Sequence, residues 1–67
     1  MKLYRLITGG DDSAFCHRIT AALNKGWELN GAPSVTCKPD GTVVCAQAIT
    51  KEVAGVEYES DMKLSDY

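Results

Sequence analysis

The ten residues from Thr42 to Lys51, TVVCAQAITK, carry apolar side chains at both odd and even positions. A run of that length and composition reads as a strand. Successive side chains of a strand point to opposite faces, so the sheet that holds this one is apolar on both sides. An antiparallel sheet with one face in water alternates cleanly between apolar and polar residues. This strand therefore needs cover on both sides, and only 67 residues are there to supply it. A domain of that size buries about 60% of the surface its unfolded chain exposes, so its core is thin.

The rest of the chain supplies one helix and two shorter strand segments. Lys2 to Thr8 is a run of branched, aromatic and basic residues ended by Gly9-Gly10, and it reads as a first strand. Asp11, Asp12 and Ser13 are each good helix N-caps. Phe15, Ile19, Ala22 and Leu23 then fall at i, i+4, i+7 and i+8, one apolar stripe of a helix over Ala14 to Lys25. Gly26 is placed to close it in the left-handed conformation. Trp27-Glu28-Leu29 re-enters a sheet with period two. Gly31-Ala32-Pro33 interrupts that strand with a bulge or bend, because proline cannot donate to a ladder, and Ser34 to Cys37 resumes it. Asp40-Gly41 between alternating runs signals a hairpin. The expected fold is α+β: a small β-α-β-β domain with one helix packed on a three-stranded, mainly antiparallel sheet. The last strand is expected in the middle. A parallel placement of the first strand beside the second, through a right-handed crossover, is the alternative.

Residues 1–54 make up this domain. Residues 55–67, with Glu57, Glu59, Asp61 and Asp66 among few apolar side chains, read as a mobile or partner-ordered acidic tail. An even hairpin loop at Pro39 to Gly41 would put Trp27, Leu29, Val35, Cys37, Val44, Ala46 and Ala48 under the helix. Val43, Cys45, Gln47 and Ile49, with Thr36, would then form the uncovered face. One helix of twelve residues cannot cover both faces. A second copy of the chain is the expected second layer, as a dimer or tetramer. The alternative is a tail folded back through Val53, Val56, Tyr58 and Met62.

Composition excludes several classes. The net charge is −2, so a protein held on a nucleic-acid polymer by a basic face is not expected. No run is long enough to span a membrane, and Met1 to Arg5 lacks the apolar stretch of a secretory signal. Cys16, Cys37 and Cys45 are odd in number and read as reduced thiols of a cytoplasmic protein, bacterial or in a phage-infected host. No cofactor is implied. No C-x-x-C or paired histidines occur, so no metal site is expected. Cys16 and His17 are adjacent and diverge on a helix, which leaves no catalytic pair. Gly9-Gly10 lacks the spacing of a phosphate loop. The chain is not expected to be an enzyme.

The residues that suit a binding site are scattered. Gln47 is an amide among apolar neighbours and must find partners, across a two-fold interface or on a ligand. Asn30, Ser34 and Thr36 could add donors and acceptors near the Pro33 bend. Arg5 and Arg18 supply positive charge, and Tyr4 and Trp27 could stack on a base.

Gly26-Trp27-Glu28-Leu29-Asn30-Gly31, after a helix carrying Phe15-Cys16-His17-Arg18, resembles a family of small bacterial and phage domains of unknown function, the 1737 family. Met1 to Arg5, the Thr8-Gly9 turn, Gln47-Ala48 and Lys51-Glu52-Val53 fit the same pattern, and the match runs to Asp61-Met62-Lys63-Leu64. Small phage proteins of similar size and strand order include sponges of the anti-CBASS type, which sequester nucleotide immune signals in pockets between subunits. That likeness implies an oligomeric sponge for a cyclic nucleotide, with a role in immune evasion. It matches no sponge motif, so no binding residue is carried over from it. The alternative is a bacterial accessory domain that mediates protein–protein interaction without catalysis.

Overall fold

A computed structural model describes all residues 1–67. The order is β1 (Lys2–Gly10), α1 (Ser13–Asn24), β2 (Glu28–Leu29), β3 (Ser34–Cys37), β4 (Val43–Glu52) and a 3-10 turn at Leu64–Asp66. This is a small α+β domain with one helix packed on an antiparallel sheet, as the pattern of runs predicts. The run with apolar residues at both parities is β4, and it lies in the middle. β1 pairs antiparallel along one edge, from Lys2 opposite Glu52 to Gly10 opposite Val44. β2 and β3 pair antiparallel with successive stretches of the other edge.

The helix ends show how local chemistry sets the packing. Asp12 is the N-cap, and its Oδ1 accepts a hydrogen bond from the Phe15 N–H at 3.0 Å. At the other end Gly26 takes φ +97°. The Gly26 N–H donates to Leu23 and the Trp27 N–H to Ala22. This is the Schellman closure, which brings the residue after the glycine against the last turn of the helix. Trp27 is thereby delivered into the core beside Ala22, with Leu3, Ile7 and Ile49. β1 runs through Gly9 and Gly10 rather than stopping at Thr8. Gly9 lies where the helix crosses: a Cβ there would stand 3.1 Å from the Phe15 ring.

The hairpin between β3 and β4 corrects the expected faces. The Gly41 N–H donates to the Lys38 carbonyl, and the Lys38 N–H donates to the Thr42 carbonyl. The loop is therefore three residues, Pro39-Asp40-Gly41, with Gly41 at φ +89°. The Asp40 carboxylate accepts from the Thr42 N–H at 2.9 Å. That bond, with one from the Thr42 side chain, holds the Asp40 carboxyl below its usual range. An odd loop reverses the parity expected from an even one. Val35 stands opposite Cys45 and Cys37 opposite Val43, so Cys45, Gln47 and Ile49 face the helix. Val44, Ala46 and Ala48 lie on the other face, with Thr36.

The strand break at Gly31-Ala32-Pro33 is a bulge larger than the usual two-against-one kind. The Asn30 N–H still bonds the Ala48 carbonyl at 2.9 Å, and the ladder restarts at Ser34 opposite Ala46. Three residues thus stand opposite Gln47 alone, and Gly31 takes φ +78° to make the turn.

The C-terminal segment crosses back over the helix side of the sheet. Leu64 and Tyr67 pack against the core, and the amines of Lys25 and Lys51 donate to the carbonyls of Ser65 and Tyr67. Tyr58, one of the residues expected to cover the uncovered face, is 70% exposed. No element lies over the face of Tyr4, Leu6, Val44, Ala46 and Ala48, and both Tyr4 and Leu6 are more than half exposed.

Candidate functional site

Arg18, Ala21 and Ala22 of α1 and its C-cap residue Lys25 fall at i, i+3, i+4 and i+7, which places them in one stripe along the helix. That stripe looks onto β1 at Arg5 and Ile7, and the six residues enclose a groove of about 190 Å³. The two alanines keep its helix wall low. Arg5 has the same strand parity as Leu3 and Ile7, so it turns toward the helix, and its guanidinium lies 5.6 Å from the centre of the Trp27 ring. Arg18 reaches across and donates from Nη1 to the Thr8 carbonyl at 2.8 Å. The Lys25 amine meets the Ser65 carbonyl at 3.4 Å.

All three cations of the groove are thus held by neutral partners. The one ion pair in the chain joins the Met1 amine to Glu52 at 3.2 Å. Arg5, Arg18 and Lys25 have no carboxylate within ion-pair distance, although the chain carries nine acidic residues. Like charges this close raise the local potential and favour an anion between them.

The structure divides the other sequence candidates. Trp27 is 2% exposed and already faced by Arg5, so it supports the groove from below and offers no open ring for a base to stack on. Gln47 lies on the helix face, not the uncovered one. Its Nε2 donates to the Gly31 carbonyl at 3.2 Å and the Ala48 carbonyl at 2.9 Å. The amide thus satisfies the carbonyl that the bulge takes out of the ladder. Its remaining surface lines a second, mostly apolar groove of about 290 Å³, with Phe15, Ile19, Leu29 and Pro33. Tyr4, Ser34 and Thr36 have the parity of the uncovered face, and Asn30 enters the bulge with that same parity. The set therefore falls into two groups on opposite sides of the sheet. Lys25, which in the sequence marks only the end of the helical pattern, joins Arg5 and Arg18. Its seven-residue spacing from Arg18 is the signal that could have found it.

Replacing Gln47 with alanine is expected to loosen the bulge and lower stability by about 1–3 kcal/mol, the cost of a stranded polar group. Urea unfolding reads this directly. An unchanged midpoint would show that the Gly31 turn holds without the amide.

A third hollow of about 270 Å³ is lined by Lys2, Glu28, Lys51 and Glu52, with Gly26 and Thr50. Its two cations and two carboxylates compensate one another. Among the thiols, burial pushes Cys45 up, and Asp11, Cys16 and Asp12 add to the shift. Cys16 and Cys37 are exposed. No three His, Cys, Asp or Glu side chains gather as a metal site, and no helix is long and apolar enough to cross a membrane.

The fold and groove define a class: a small α+β domain, one helix on a sheet with its longest strand in the middle, and a cationic groove between helix and edge strand. The model of the family Domain of unknown function (DUF1737) matches residues 1–52, and the chain belongs to that family. The match spans all four strands and the helix, and leaves out the C-terminal segment. No curated protein and no solved structure matches the chain.

Proposed function

We propose that this chain is a non-catalytic binding module that holds a small phosphate-bearing anion in the groove between α1 and β1. The observation that carries this reading is the set of Arg5, Arg18 and Lys25 around one groove, with no carboxylate paired to any of them. Guanidinium groups present paired N–H donors that match two phosphate oxygens, and an ammonium adds a compact charge. A net charge of −2 leaves the surface outside the groove unattractive to a long polyanion, which selects small anions over a nucleic-acid polymer. Nucleotides, cyclic nucleotides included, are the ligand chemistry in view, and sequestration is what a binder of this kind would do with one. Each chain holds a complete groove, so the expected stoichiometry is one ligand per chain.

The test is an amide-resolved NMR titration at low salt with pyrophosphate, a mononucleotide and a cyclic dinucleotide. Shifts should gather on β1 around Arg5 and on the second half of α1. Arg18→Gln should weaken binding by about 10–100-fold, the loss of one charge-assisted hydrogen bond. Added salt should weaken it further, because an open groove is screened. Shifts confined to Phe15, Leu29 and Gln47 would transfer the function to the apolar groove and favour a protein partner. Absence of any shift at millimolar ligand would end the anion reading.

A further inference from the structure

We propose that the apolar groove on the other flank of α1 is a second binding site, for a small uncharged ring molecule that brings an N–H or O–H donor to the Gln47 amide oxygen. This goes beyond the anion reading. Arg18, Ala21, Ala22 and Lys25 line one flank of the helix, and Phe15, Cys16, Ile19 and Thr20 line the other. The helix therefore stands between two grooves of contrasting chemistry.

The groove is marked by its one buried polar side chain. Gln47 is 5% exposed. Its Nε2 carries two hydrogens, and both are engaged by carbonyls, those of Gly31 and Ala48. That pairing fixes the amide, because a flip would set oxygen against oxygen at both contacts. Oε1 accepts from no group of the chain. Every side-chain nitrogen or oxygen that is sealed from solvent has a partner, so Oε1, which has none, is not sealed. The hollow that Gln47 lines is this groove. A largely buried acceptor in such a place calls for a donor from whatever fills the space above it.

The walls set the rest of the ligand's chemistry. Phe15, Ile19, Leu29 and Pro33 are apolar, and no charged side chain lines the groove. An ion entering it would lose water and gain no counter-charge, so the ligand is neutral. The hollow of about 290 Å³ stands at the small end of the range for ligand sites, which suits a compact ring. Apolar walls with one placed polar group to fix orientation are the usual plan of a small-molecule site. A free molecule fits this lining better than a peptide does. Each residue of a peptide brings backbone N–H and C=O groups that need partners. Here Pro33 has no N–H to give, and the only other polar side chains are the Cys16 thiol and the Thr20 hydroxyl, both exposed at the rim.

Indole is the probe, a compact fused ring with one N–H donor and no charge. In an amide-resolved NMR titration of the full chain with millimolar indole, shifts should gather on Phe15, Ile19 and Leu29 and on the side-chain amide of Gln47. 1-Benzofuran has the same shape with an oxygen in place of the N–H. It should bind at least about fivefold more weakly, because it covers Oε1 without donating to it. N-acetyl-tryptophanamide carries the indole ring on a peptide backbone and should bind no better than indole. Leu29 is 53% exposed, so Leu29→Ala trims the wall and leaves the core alone. It should weaken indole binding by about 3–10-fold with the pyrophosphate titration unchanged. Indole that shifts nothing in the groove would overturn the proposal. So would 1-benzofuran binding as tightly as indole, a comparison that needs no variant. Indole affinity unchanged in Leu29→Ala would place the ring elsewhere and overturn it too. Tighter binding of the tryptophanamide would hand the groove to a side chain of a partner protein. Phosphate and indole are read at separate residues, so the anion site can fail while this one stands, and the reverse.

Discussion

Trp27→Ala is expected to unfold a large part of the population at room temperature. Trp27 is 2% exposed and touches the core from the first position after the helix closure. Truncating a buried tryptophan costs about 3–5 kcal/mol. A chain of this length has about 3–10 kcal/mol to lose, at the usual stability per residue. The variant also removes the ring beneath the Arg5 guanidinium, so what remains folded should bind anions poorly. Trp27→Phe keeps a ring in the site and should recover much of the loss. Urea denaturation followed by far-ultraviolet circular dichroism measures both. A Trp27→Ala midpoint close to the wild type would show that the helix closure does not direct the packing.

Ile49→Ala should cost about 2–5 kcal/mol, and Ile49→Val about 0.5–1.5 kcal/mol. Ile49 is fully buried at the centre of β4, with Arg5 opposite it on one side and Leu29 on the other. The sheet cannot collapse into the space left behind, because β4 is fixed by pairing on both edges and the helix is tethered at both ends by its caps. Thermal or urea unfolding of the two variants gives the ratio. Equal small losses for both would mean that the site relaxes and that the core is looser than its burial implies. The even-numbered residues of the same strand provide a contrast, since Ala46 and Ala48 look away from the helix and leave this core untouched.

Much of the fold was legible because its signals are local. Asp12, the Phe15–Ile19–Ala22 stripe and Gly26 fix the helix within a turn of itself, and Asp40-Gly41 marks the hairpin. The face assignment failed on one number, the length of the Pro39-Asp40-Gly41 loop. Two- and three-residue loops both suit Asp-Gly, and the choice reverses every side chain of the following strand. Gln47 was legible as a polar group in need of partners. Its partner is the Gly31 carbonyl, freed by a bulge whose width the Pro33 signal does not state. The groove was half legible. Arg5 and Arg18 stood out as cations, but nothing local says that β1 and α1 face one another there. Lys25 enters through a spacing that matters only once the helix has a neighbour.

The pairing of β1 with β4 has a consequence for how the chain comes to be folded. Partners in that ladder run from Lys2 opposite Glu52 to Gly10 opposite Val44, so 33 to 49 residues lie between them. Closing such long loops is entropically slow, and chains dominated by distant pairings fold far more slowly than helical bundles of equal size. The β3–β4 hairpin is the only part of the sheet whose partners are close in sequence, and it is the natural place for order to begin. β1 can take its place only after the last residue of β4 has been synthesised. Until then the first strand waits with Leu3 and Ile7, both buried in the finished domain, in water, which makes the nascent chain the stage most exposed to aggregation.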